Sequence, residues 1–230
     1  MELYANRFYA FLNRPLRPRA RILLALLVIP LGLSLLYPLW RIDMEAPQYP
    51  TGLSLEIYAY KLEGGNEGRH LQEINTLNHY IGMRSLDRDA LRDLDWIPFA
   101  LGGLAILTLR VAAIGNVRSL VDLVVITTYV SLFAFGRFVY TLYVFGHNLS
   151  PTAPVRVPGF MPAVLGSKQI ANFTTHSLPA LGSLLLGVFV LGCVVLLVHQ
   201  LWVGRRDAVR AHAPRAPEPR PVHPLADVRP

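Results

Sequence analysis

Residues 22–40 read ILLALLVIPLGLSLLYPLW, nineteen consecutive residues without a charge. At about 1.5 Å per helical residue such a run is long enough to cross a hydrocarbon layer about 30 Å thick. Arg17, Arg19 and Arg21 precede it, and Arg41 and Asp43 follow it. A cleaved signal peptide would share the basic start and apolar middle, but it ends in small residues, whereas Tyr37, Pro38 and Trp40 are bulky. The run therefore reads as an anchor.

Working outward, three more apolar runs follow: Trp96–Gly115 with Arg110, Leu120–Phe145 with Asp122 and Arg137, and Leu178–Val203 with no charge. The 230 residues are 53% hydrophobic and 16% charged, with a mean hydropathy of +0.37. A soluble domain carries about 25% charged residues, so the bilayer is the solvent to reason from. The single cysteine, Cys193, lies in the last run and excludes a disulfide scaffold. The net charge of +7 does not indicate nucleic acid, because the basic residues gather beside the apolar runs, where a membrane protein places them.

The predicted fold class is an all-α integral membrane protein with four transmembrane helices and a small mixed α/β exocytoplasmic loop region. Residues 1–21 form a basic interfacial segment, in which Tyr4, Phe8, Phe11 and Leu12 recur at helical spacing. The spans are 22–40, 96–115, 120–145 and 178–203; 116–119 is an inner turn, and 204–230 is a disordered basic tail. Its His212 and His223 read as solvated residues. The loop 41–95 carries ten acids against six bases, and the loop 146–177 only Arg156 and Lys168. The arginine-rich head, turn and tail are then cytoplasmic and both loops exocytoplasmic, which places the chain in a bacterial inner membrane.

Specific chemistry is expected in those loops. Alternation from Leu53 to Lys61 predicts a strand, and Leu71, Ile74, Leu77 and Ile81 predict a helix over 70–81 ended by Gly82. Residues 85–95 read as an amphipathic helix whose acids, Asp93 among them, form a solvated face. The second loop reads as irregular, with Pro151, Pro154, Pro158 and Pro162 along it.

Apart from the initiator, every methionine (Met44, Met83, Met161) falls on the outer side, as do His70, His79, His147 and His176. Thioether and imidazole without thiolate suit Cu(I) in an oxidising compartment. His79 and Met83, four apart at a helix end, are the expected ligands, with His147 or His176 reaching across from the other loop. Asn75 and Asn78 would support them by hydrogen bonds, or else form a satisfied loop-docking network. Ordinary packing of the methionines is the competing reading. Haem would need a histidine in a span; His199 alone qualifies, and it lies near the inner boundary.

Arg137 sits about 12 Å inside the third run from Phe145, on a stripe with Tyr129, Phe133 and Tyr140 that offers cation–π shelter. Asp122 is too far along the same helix to pair with it. Its partner must be a carbonyl, a loop acid, another subunit or a lipid; snorkelling is the alternative. Gly182, Ser183, Gly187 and Gly192 offer small residues for close helix packing. No nucleotide loop, serine-hydrolase elbow or zinc-protease motif is present.

The stretches Tyr49-Pro50-x-Gly52-Leu53, Leu77-Asn78-His79-Tyr80-Ile81-Gly82-Met83 and Ile170-Ala171-Asn172-Phe173-Thr174 resemble small four-span bacterial membrane proteins associated with copper delivery and nitrous-oxide-reductase maturation. The resemblance covers both outer loops and implies an accessory protein of a periplasmic copper or respiratory system, with copper as cofactor or cargo. The expected function is therefore a non-enzymatic accessory protein that binds or hands on copper to a respiratory enzyme, with the bilayer and a protein as partners. A metal-free anchor or structural subunit of a redox or transport complex is the alternative. A quinone-linked electron-transfer subunit is a third reading, for which no cofactor ligands stand out.

Overall fold

The computed structural model describes residues 11–170 and 172–211. The candidate interfacial residues Tyr4 and Phe8, and His212 and His223 of the tail, lie outside them.

The decisive run 22–40 is not one helix. Helix α1 (Pro18–Leu26) is followed by α2 (Val28–Leu33), and by Trp40 the chain is already a β-strand. Pro30 has no N–H to return to the carbonyl of Leu26, which explains the interruption inside an otherwise apolar stretch. Together the two helices cover about 24 Å at 1.5 Å per residue, short of a bilayer core. Among the described residues, three helices are long and apolar enough to cross a membrane: α4 (Asp93–Ile114), α5 (Val117–His147) and α6, which runs Leu181–Ala211. Their flanks carry large exposed apolar side chains such as Phe99, Ile106, Leu132 and Leu191, as lipid-facing surfaces do. The chain is a multi-pass membrane protein, but the expectation of an all-α, four-span architecture is wrong.

The second correction is a sheet. Strands β1 (Trp40–Ala46), β2 (Tyr49–Ile57), β3 (Leu62–Gly64), β4 (Gly166–Ile170) and β5 (Phe173–Pro179) form one antiparallel sheet in the order β3-β2-β1-β5-β4. The fold is thus mixed α/β. β1 is the central strand: Ile42 pairs with Leu55 of β2 on one side and with Ser177 of β5 on the other. The second loop, expected to be irregular, supplies the hairpin β4–β5. Its signal was alternation: Phe173, Thr175 and Ser177 are buried while Thr174 and His176 are not. Helix α3 (Arg69–Tyr80) covers one edge, packing on β2 and β3. His70 fixes it there, its Nδ1 accepting from the Ser54 backbone N–H at 3.0 Å.

Residues 85–92 are not helical. Side chains take the backbone hydrogen bonds a helix would use. The Asn75 carboxamide accepts from the Leu86 N–H at 2.7 Å and donates to the Leu86 carbonyl at 3.3 Å, and Asp87 accepts from the Ala90 N–H at 2.7 Å.

The sheet is joined tightly to the helices. Trp40 donates its indole N–H to Ser177 Oγ at 2.7 Å and packs against Phe138 of α5, the rings tilted by 47° with centroids 4.9 Å apart. The backbone N–H groups of Ala180 and Gly182 donate to Leu39 and Pro38 at 3.0 and 2.8 Å, and Ser183 Oγ to Leu39 at 2.5 Å. At the opposite end, Asn116 caps α5 by accepting from the Ser119 N–H at 2.9 Å. Arg21 donates to Ala112 O at 2.7 Å, satisfying a carbonyl at the end of α4.

Of the three glycines expected to allow close helix packing, two make such contacts and one does not. A Cβ on Gly182 would meet the carbonyl oxygens of Tyr37 and Pro38 at 2.7 and 2.8 Å; one on Gly192 would meet Leu27; one on Gly187 would meet nothing within 4 Å. Gly182→Ala is therefore expected to lower thermal stability in detergent by about 1–3 kcal/mol, because backbone must shift, and Gly187→Ala to leave it unchanged. Equal melting temperatures for the two variants would refute this splice of sheet to helix.

Candidate functional site at the sheet–membrane junction

One face of the sheet, α3 and the ends of the long apolar helices nearest the sheet line a cavity of about 290 Å³. Ile42, Met44 and Leu55 line it from the sheet, Ile74 and Asn78 from α3, and Phe138, Leu142 and Phe145 from α5. Met83, Leu86 and Leu94 close it on the side of the non-helical segment.

Asp93 in its wall belongs to an ion pair. Arg137 Nε and Nη2 donate to the two carboxylate oxygens of Asp93 at 3.0 and 3.1 Å. The Trp96 indole N–H donates to the same carboxylate at 3.0 Å, and Thr141 Oγ1 at 3.4 Å. The Arg137 guanidinium also stands 5.6 Å from the Tyr140 ring centre. Of the partners open to Arg137 in the sequence, the one present is a loop acid. Asp93 is no solvated residue, which corrects that expectation. Helix α5 is 31 residues long, about 46 Å, more than a hydrocarbon layer of about 30 Å needs. Arg137 is paired with the first residue of α4.

Other polar groups lining the cavity are committed too. Thr175 Oγ1 donates to Lys168 O, Ser183 Oγ to Leu39 O, and Tyr58 OH to Glu56. The exception is Asn78, which is only 2% exposed, lines the cavity, and has no side-chain hydrogen bond among the described residues. A buried carboxamide ordinarily finds partners for its two donors and its acceptor.

The residues expected to bind copper are placed apart. His79 is exposed near the end of α3, and its ring has no partner among the described residues. Met83 lines the cavity and packs into the apolar cluster around Met44, Leu53 and Ile74. His147 stacks on Tyr143 at 3.9 Å, with Nδ1 2.9 Å from the Tyr143 carbonyl oxygen. His176 lies on the outer face of the sheet, its Nδ1 2.6 Å from Ser167 Oγ and its Nε2 4.0 Å from Glu45. Met83 lines the cavity on one side of the sheet, and His176 lies on the other side. Among the described residues no three His, Cys, Asp or Glu side chains cluster as a metal site would need. The two loops do meet at the end of α3: the Ser150 N–H donates to Gly82 O at 2.8 Å and the Val155 N–H to Tyr80 O at 3.0 Å. Asn75 is hydrogen-bonded to the Leu86 backbone within its own loop.

No protein-family model, curated protein or solved structure matches the chain. The site must be read from its own chemistry.

Removing either charge of the Asp93–Arg137 pair leaves the other unpaired. Arg137→Ala and Asp93→Ala are each expected to lower stability, less than for a fully buried pair because Arg137 is partly exposed. The double variant should lose less than the sum of the two. Strict additivity in chemical denaturation would show that the pair carries no interaction. Asn75→Ala should cost about 1–2 kcal/mol through its two hydrogen bonds, a loss read in the same assay.

Proposed function

We propose that the chain is a non-enzymatic accessory protein or structural subunit of a redox or transport complex in a bacterial inner membrane. Its membrane helices carry a folded cap on the outer face, and the cap is where a partner protein docks. The observation that carries this reading is the interlocking of two distant loops into one sheet bonded directly to α6. Such a cap is a rigid platform, and it uses Asn75, His70 and Met83 internally.

The outer placement follows from charge. Arg14, Arg17, Arg19, Arg21, Arg118, Arg205 and Arg206 lie at the end of the helices away from the sheet, the distribution of a cytoplasmic face. In a cysteine-free background, Cys193→Ser, a cysteine at Ser167 is expected to react with a membrane-impermeant maleimide added outside intact spheroplasts. A cysteine at Ser119 should react only after lysis. The reverse pattern would invert the topology.

Copper handling is a second reading, favoured by one observation: His79 is exposed, its ring unpartnered among the described residues, four residues before a thioether. Anaerobic Cu(I) loading of detergent-purified protein against a competing chelator decides between the two. The docking reading expects no stoichiometric copper dependent on His79 or Met83. One copper per chain, lost in the variant carrying His79→Ala and Met83→Ala, would replace it with copper delivery.

A further inference from the structure

The cavity beneath the sheet has the construction of a ligand site. Its volume of about 290 Å³ is near the lower end of the range for small-molecule pockets, roughly 300–1,000 Å³. Its walls are aliphatic and aromatic, so water would find few partners there and apolar matter is the favoured content. It reaches Phe135, which is 52% exposed on the lipid-facing side of α5. Access is therefore from the bilayer.

One polar group breaks the apolar lining without being used. Asn78 is nearly fully buried, and its carboxamide has no partner among the described residues. The other polar side chains facing the same space, Thr175, Ser183, Thr141 and Asp93, are all hydrogen-bonded within the chain. A donor held in an apolar pocket selects a ligand with one acceptor on an otherwise apolar body, since it loses hydration without return unless that acceptor arrives.

We propose that this cavity binds a membrane-derived molecule with an apolar chain and a carbonyl oxygen, the chain packed between sheet and helices and the oxygen accepting a hydrogen bond from Asn78. Two sources carry that chemistry, the acyl ester of a membrane lipid and an isoprenoid quinone. The inference does not depend on the docking or the copper reading.

The test is photolabelling of the full chain in nanodiscs with two probes, a long-chain acyl ester bearing a diazirine and the matching diazirine hydrocarbon without the ester. The ester is expected to label saturably, near one per chain, at peptides containing Met83 and Phe138. Asn78→Leu, which keeps the volume, should raise the half-saturating concentration of the ester about tenfold, the worth of one buried hydrogen bond, and leave the hydrocarbon unchanged. Ala134→Phe, filling the cavity from α5, should abolish both. Competition by unlabelled phospholipid or by a quinone with an isoprenoid tail identifies the source. Melting temperatures of the variants within a few degrees of the parent separate loss of the site from loss of the fold. Non-saturable labelling, labelling spread along the lipid-facing flanks, or equal loss of both probes in Asn78→Leu would overturn the proposal.

Discussion

Strand β1 has neighbours on both edges, and the rest of the structure depends on that fact. One neighbour, β2, comes from its own loop; the other, β5, is more than 120 residues further along the chain. Backbone groups of a central strand must all be satisfied by its neighbours, so β1 cannot form its inner half without the second loop. The same pairing delivers the chain directly from Pro179 into α6 and holds Leu39 and Pro38 against the first turn of that helix. The helix pair α1–α2 and the span α6 are thereby fixed side by side, with Gly182 and Gly192 letting them approach.

From this frame follow the two polar features beneath the sheet. The sheet sits over the ends of α4 and α5 where Asp93 begins one helix and Arg137 lies on the other. Either charge alone would be expensive in an apolar setting; together, with Trp96, Thr141 and the Tyr140 ring, they are satisfied. Asp93 forms part of the wall of the cavity that the sheet roofs. Asn78, aligned on α3 with the core residue Ile74, is carried to that cavity by the same packing that buries Ile74.

Features governed by local chemistry were legible in the sequence. Apolar length revealed α4, α5 and α6, and helical periodicity placed α3 within a residue of its ends. Features governed by long-range partners were not. Run 22–40 has the composition of a span, but Pro30 interrupts it and the demand of β5 for a partner draws Trp40 into the sheet. Alternation at Phe173, Thr175 and Ser177 was visible, yet the prolines upstream masked it. Asp93 looked solvated because its partner lies 44 residues away on another helix. For the candidate site, strand alternation puts His176 on the face of the sheet away from Met44 and the cavity. The unpartnered state of Asn78 has no signature in sequence at all.

The account stands on the pairing of β1 with β5, and a disulfide trap tests it most directly. Asp43 and His176 are register partners on the outer face, where Cα atoms of directly opposed residues lie about 4.5–5.5 Å apart and a disulfide can close. In the Cys193→Ser background, cysteines at 43 and 176 are predicted to form an intramolecular disulfide in intact membranes under mild oxidant, while cysteines at 79 and 176 stay free. Failure of the first pair to link, or equal linking of the second, would contradict the interlocked sheet and with it the cavity that it roofs.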